Sequence, residues 1–225
     1  QSVSVITRQR LADGNMQSLT DVLNGTTGIS SNTYDSERIS FYSRGFLIDS
    51  YQYDGIPTTI DTTYNAGDAA SDMAIYDRVE VVRGATGLLT GAGNPSASVN
   101  LVRKHATATQ PTATVSAAYG SWNDRRVTAD ASTPLNRSGS VRARVVGVYQ
   151  DRDSYMRFYS SKKKLMYATL DADLGPDTLL SVGYLYQNTL PRRVTWGGTP
   201  LFYSYGGAAD FRRSVTSADP WASWP

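Results

Sequence analysis

Apolar and polar residues alternate along this chain with two different textures, and the change between them divides it. Up to about residue 106 the runs are short and mixed in type. Residues 2–7 alternate and predict a first or edge strand, and 8–12 predict a helical turn running into Asp13-Gly14. Met16, Leu19, Val22 and Leu23 fall at helical spacing with Gly25 as the stop, which predicts one short amphipathic helix. An extended segment opens at 28–31, and 39–46 and 50–53 read as strands, the second turning at Asp54-Gly55-Ile56-Pro57. Residues 58–72 have no period and read as an exposed loop.

The most distinctive wording is DRVEVVRGATGLLTGAGNPSASVNLVRK at 77–104. Val79 and Val81 alternate with Arg78, Glu80 and Arg83, and a second alternating run follows at 98–104. The stretch therefore predicts strand, glycine loop, strand. Gly84, Gly87, Gly91 and Gly93 permit positive φ and close backbone approach in between. The loop is no phosphate cradle, because neither a Lys-Ser or Lys-Thr pair nor a GxGxxG spacing accompanies the glycines. Nor is it a plain hairpin turn, which needs only about two to five residues.

A patternless Ala-Thr-Ala-Thr-Gln-Pro linker then marks a boundary near residue 106. His105, the sole histidine, has no Cys or second His beside it and reads as a solvated linker residue. Beyond it, 112–120, 125–134, 140–150, 165–174 and 178–187 alternate over about nine to eleven residues each, the length a tilted strand needs to cross a bilayer. Val141, Ala143, Val145, Gly147 and Tyr149 oppose Arg142, Arg144 and Gln150. Met166, Ala168, Leu170, Ala172 and Leu174 oppose Tyr167, Thr169, Asp171 and Asp173. Turns near 137 and 176 are tight, 151–164 reads as a long polar loop, and the tail from 188 runs further. A soluble β-sandwich also alternates, but short turns at one end and long loops at the other favour a transmembrane barrel. On that reading Arg126, Asp130, Arg142, Arg144, Asp171 and Asp173 face a polar interior, and Tyr119, Trp122, Tyr149, Tyr184 and Tyr186 are interface aromatics.

Composition changes this picture little. The 225 residues carry 22 basic and 20 acidic side chains, which gives no electrostatic case for nucleic acid. The run Lys162-Lys163-Lys164 reads as a solvated loop. Absence of cysteine excludes disulfides and thiolate metal sites. No apolar run reaches the length of a membrane helix, which a β-barrel does not need. There is no GxSxG elbow and no HExxH, so nothing points to an enzyme. The start at Gln1 lacks a signal region and reads as mature or trimmed.

The stretch at 77–104 resembles the plug signature of TonB-dependent outer-membrane receptors, in particular ferric-siderophore receptors of the pyoverdine type. FYSRGFLIDSYQYDGIP at 41–57 resembles a second plug motif, in the expected order. The resemblance implies an α+β plug at 1–106, a short mixed sheet with short helices, followed at 107–225 by antiparallel transmembrane β-barrel strands. Such barrels have about 22 strands, so the chain is expected to be an incomplete fragment holding about five of them and a long extracellular loop. The implied function is capture of a ferric siderophore outside the cell and import driven by the TonB complex, in the bacterial outer membrane and in contact with its lipid. Iron would arrive wrapped in the siderophore's own oxygens, with no metal cage, cofactor or catalytic residue of the protein's own. Arg38, Tyr51, Tyr64, Leu89, Thr90 and Trp196 are the expected ligand contacts, supplying charge and flat faces to a chelate. Many relatives carry Leu-Tyr-Gly where this chain has Leu89-Thr90-Gly91, so an aromatic at that tip is not expected here. Arg44, Glu80 and Arg83 are expected to tie the plug to the barrel wall. Import of haem, cobalamin or a glycan is the rival within the fold; a surface adhesin or phage-binding module is the rival outside it.

Overall fold

The computed structural model describes residues 2–59, 71–84, 95–195 and 199–216. The chain separates into two compact units, 1–104 and 105–225.

The first unit opens with β1 (Ser2–Thr7), α1 (Arg8–Asp13) and α2 (Leu19–Asn24). Thr7 caps α1, and Ser18 and Asp21 form a reciprocal capping box on α2. Met16 precedes α2 rather than joining it. A small antiparallel sheet follows from β2 (Ile29–Thr33), β3 (Ile39–Ser43) and β4 (Phe46–Leu47). The single strand expected at 39–46 is in fact a hairpin. Arg44 (φ 56°) and Gly45 (φ 83°) both take positive φ between the paired Ser43 and Phe46, a two-residue turn whose twist matches the strands.

The main sheet adds β5 (Ser50–Tyr53), β6 (Ile56–Thr59), β7 (Tyr76–Arg83) and β8 (Ala97–Arg103), in the order β1-β7-β8-β5-β6. It is mixed, because β5 runs parallel to β8 while the other pairs are antiparallel. Asp54-Gly55 makes a second positive-φ hairpin turn where the sequence predicted one. Val79, Val81, Val99 and Leu101 from the central strands are fully buried, as are Leu19, Val22 and Leu23 of α2. The strands on either side of the glycine loop pair as predicted; the loop at 85–94 and most of the expected loop at 58–72 lie outside the described residues.

The second unit is a five-stranded antiparallel meander: β9 (Thr112–Tyr119), β10 (Arg125–Pro134), β11 (Val141–Asp153), β12 (Ser160–Gly175) and β13 (Thr178–Arg192). Among its described residues there is no helix. Three of the strands are longer than expected, with 13, 16 and 15 residues in β11, β12 and β13. The loop expected at 151–164 shrinks to 154–159, because the lysine run is not a loop at all. Lys162 and Lys164 point to one face, Lys163 is buried on the other, and the ladder to β11 continues through all three. Charge suggested solvent, whereas the alternation was already that of a strand.

Register sorts the two faces. Arg126, Thr128, Asp130 and Ser132 lie opposite Gln150, Val148, Val146 and Arg144, which in turn face Lys163, Leu165, Tyr167 and Thr169. That face is polar. The other carries Val115, Val127, Val145, Met166, Leu170, Leu174, Leu180 and Val182, all exposed. A sheet that buries its polar side and exposes its apolar side inverts the rule for a soluble sandwich and matches a membrane barrel wall.

Candidate functional site

Arg38 stands just before β3, where the sequence placed it, but its charge is engaged. Its Nε and an NH2 nitrogen both reach Asp35 Oδ2 at 2.6 Å. Asp35, whose side chain is 2% exposed, also accepts from the backbone N–H of Glu37 and Arg38 at 3.0 and 2.8 Å. This is an Asx turn sealed by an ion pair. The sequence signal for this turn is the spacing Asp35-x-x-Arg38. Beside it, the hydroxyls of Tyr34 and Tyr42 lie 3.1 Å apart. The shared hydrogen bond holds the Tyr34 phenol below its usual range and pushes Tyr42 up. Tyr34 and Arg38 thus flank the β2–β3 turn, and Tyr42, opposite Ser30 nearer the other end of the hairpin, reaches Tyr34 through its hydroxyl.

Tyr51 requires a correction. It was expected to offer a flat face to a ligand, but within β5, the strand expected at 50–53, it is 1% exposed. Its strand neighbours point elsewhere, while its own ring lies inward on the side that packs the core. Burial pushes the phenol up, and among the described residues the hydroxyl has no hydrogen-bond partner. A ring so placed presents nothing to a ligand from outside. Tyr64, Leu89, Thr90 and Trp196 lie outside the described residues.

The three charges of the plug motifs have distinct surroundings. Arg44 is exposed at the first position of its hairpin turn. Glu80 takes Arg78 Nε at 2.6 Å and Asn100 Nδ2 at 3.0 Å, and Asn100 in turn accepts from the Gly55 N–H at 3.0 Å. Burial pushes the Glu80 carboxyl up, but the bonds from Asn100 and Arg78 outweigh it and hold it below the usual range. Arg103 grips Asp54 at 2.6 Å on the same turn. Arg83 donates to the Ser2 and Ser4 hydroxyls at 2.7 and 2.9 Å, fastening β7 to β1. Its guanidinium covers Gly28 (φ 78°), where an added Cβ would come within 3.3 Å.

In the second unit the linker is bound to the polar face. Asp171, 1% exposed, accepts from the Ala106 N–H, from the Ser181 hydroxyl and from His105 Nδ1 at 3.2 Å. Arg142 reaches the Ala106 carbonyl at 2.9 Å and Arg144 the His105 carbonyl at 3.1 Å. His105 stays exposed at 44% of its side chain, as expected of a linker residue, but Asp171 and Arg144 hold its ring and carbonyl. Neither arginine is left uncompensated, since Arg142 pairs with Asp173 and Arg144 with Asp130. At the opposite end of the sheet, the guanidinium groups of Arg157 and Arg193 lie 5.0 and 4.4 Å from the Phe158 ring centre. Tyr203 stacks on Tyr205 at 5.3 Å in a small hairpin beyond β13. Among the described residues no group of three or more His, Cys, Asp or Glu could hold a metal ion.

Comparison with known proteins gives this arrangement a context. The TonB-dependent Receptor Plug Domain family matches residues 1–98. The whole chain is 46% identical to 28% of the ferripyoverdine receptor of Pseudomonas aeruginosa. Over 99% of its length it is 39% identical to 27% of the ferric-pyoverdine BN7/BN8 receptor of Pseudomonas putida. The crystal structure of the P. aeruginosa outer-membrane ferripyoverdine receptor bound to ferripyoverdine superposes with a TM-score of 0.94, covering 100% of this chain and 30% of that one. The chain thus spans under a third of the curated relatives it matches, and these relatives are receptors for ferric pyoverdine. The plug match at 1–98, and the identity that continues through the meander, show that the chain belongs to the TonB-dependent receptors of the outer membrane, as a plug domain with the strands that follow it.

Proposed function

We propose that this chain is the plug, residues 1–106, and the first barrel strands, within 107–225, of a receptor that binds a ferric siderophore of the pyoverdine class and imports it with energy from TonB. The observation that carries the reading is identity to a ferripyoverdine receptor sustained over the whole chain, 46% across 226 aligned residues, rather than in the plug alone. A shared plug would support only the mode of transport, because fold does not set the ligand. A match that also spans the strands after the plug supports a ligand of the same class.

Arg38 supplies the anchor on the plug side. Its Asp35 partner fixes the guanidinium, two of whose nitrogens meet one carboxylate oxygen, and so presents a positioned cation to a chelate. Tyr64, Leu89, Thr90 and Trp196 complete the proposed contact set. Arg44, Glu80 and Arg83 serve the plug's attachment, and for Glu80 and Arg83 the bonds described above show how each is steadied inside the first unit. Iron enters as part of the ligand, and TonB and membrane lipid are the partners.

The test is equilibrium binding of ferric pyoverdine, free ferric ion and haem to the complete receptor that contains this chain. Tight binding of ferric pyoverdine with weak binding of the other two is expected. Tight binding of haem alone would replace the reading with that of a different importer.

A further inference from the structure

The three lysines of β12 are not absorbed by transport of a ligand, and their placement is specific. Lys162 and Lys164 share a face with Met166, Ala168, Leu170, Ala172 and Leu174, the exposed apolar side of the sheet. Register brings further groups to the same level. One row across the strands reads Tyr119, Arg125, Asp151, Lys162, Leu190, and the next Ala117, Val127, Tyr149, Lys164, Asn188. Two tyrosines and three cations therefore share a belt, with apolar rows below it towards the 176–177 turn.

Depth follows from strand geometry. From Lys164 to Leu174 the strand climbs about 33 Å at ~3.3 Å per residue. A tilt of ~40° turns this into about 25 Å of membrane normal, the height of a barrel's apolar band. With Leu174 at one boundary, Lys164 sits at the other. A lysine at mid-bilayer costs about 2–4 kcal/mol and near the interface about 0–1, so the belt belongs at headgroup level. The residues from 193 onward follow β13 at this same end, and long segments mark the extracellular side.

Charge decides the occupant. Lys162 pairs with Asp151 at 3.1 Å. Among the described residues neither Arg125 nor Lys164 is in an ion pair. Arg125 and Lys162 stand about 10 Å apart with Asp151 between them, two strand spacings, and the patch keeps an excess of positive charge. We propose that Arg125, Lys162 and Lys164, flanked by Tyr119 and Tyr149, form a binding site for the phosphate groups of a phosphorylated glycolipid in the outer leaflet. Arginine takes a phosphate with paired donors, the lysines as point charges, and the tyrosine rings seat against the sugar and upper acyl carbons. The site rests on the outer-membrane reading but not on the identity of the siderophore.

The experiment titrates the complete purified receptor in detergent with bisphosphorylated and with dephosphorylated lipid A, read by native mass spectrometry. The wild type should prefer the phosphorylated form by at least about tenfold, since each cation near an anionic surface contributes roughly fivefold. Arg125→Gln/Lys162→Gln/Lys164→Gln should lose that preference, and Arg125→Lys/Lys162→Arg/Lys164→Arg should keep it. Equal binding of the two lipids by the wild type, or an unchanged preference in the glutamine variant, overturns the proposal. Ferric pyoverdine binding measured on the same samples separates the two readings: its absence in the wild type refutes the transport assignment and leaves the lipid result standing.

Discussion

Arg38 and Asp35 form a closed pair three residues apart, guanidinium to carboxylate at 2.6 Å, in a turn whose acidic partner is almost completely buried. Arg38 is thus held in place before any ligand arrives, and its pose depends on Asp35. In the complete receptor Arg38→Ala should weaken ferric pyoverdine binding by about 1 kcal/mol, the scale of a charged contact open to water. Asp35→Ala should weaken it comparably without touching the ligand. The double variant should lose little more than either single one, and equilibrium binding across the cycle measures this. Strict additivity would show that Asp35 has no part in presenting Arg38.

Tyr51 separates core packing from ligand contact. Its ring is 1% exposed and its hydroxyl unpartnered. Tyr51→Phe should be neutral or stabilising, because it removes a buried polar atom that gains nothing. Tyr51→Ala should destabilise the plug by about 3–5 kcal/mol through the cavity it leaves. Hydrogen exchange in β5 and β8 reads both, and a loss of siderophore affinity in Tyr51→Phe with normal exchange would return the residue to the binding site.

Glu80 links the plug to pH. Its folded carboxyl sits below the ordinary range, so it stabilises the fold above its unfolded pKa of about 4.3. That contribution is lost as pH falls through the folded value. Protection of the β7 and β8 amides should decline on acidification, and Glu80→Gln should flatten that part of the profile. An unaltered profile in Glu80→Gln would assign the pH dependence to other carboxylates.

Asp171 fastens the linker from beneath. Asp171→Ala leaves the Ala106 N–H without its acceptor, while Arg142 and Arg144 keep their carboxylate partners and their bonds to the linker carbonyls. The amides of 105–107 should exchange about tenfold faster, with β11 and β12 unaffected at their centres. Asp171→Asn, which keeps one acceptor oxygen, should fall between.

The architecture was legible because it is written in local alternation and turn chemistry. Val79 and Val81, the Asp54-Gly55 turn and the period of β11 each carry their structure within a few residues. Misreadings arose where a side chain's character was taken for its backbone's. Three lysines suggested solvent while their backbone paired as a strand, and Tyr51 suggested a ligand face while its parity sent it inward. His105 is exposed as read, but its partner is Asp171, 66 residues away, and no local pattern announces a contact of that span. The Asp35–Arg38 turn was local and readable, and its charge pair limits what the arginine can offer.

The direction of β1 within the main sheet has a mechanical meaning. Ser2 lies beside Arg83, and Arg83 beside Ala97, whereas Arg103 lies beside Tyr76 at the far end. The chain therefore enters the β1-β7-β8 ribbon at one end and leaves it at the other. Traction applied at Ser2 and resisted through the linker beyond Arg103 loads these strands along their length. In that shear arrangement the ladder bonds share the load and yield together instead of peeling open one by one. Arg83, bonded to two serines of β1, adds a rivet at the point where the load enters. A sheet strung this way resists tension as a block, so a pull from the β1 end is passed intact to whatever holds the other.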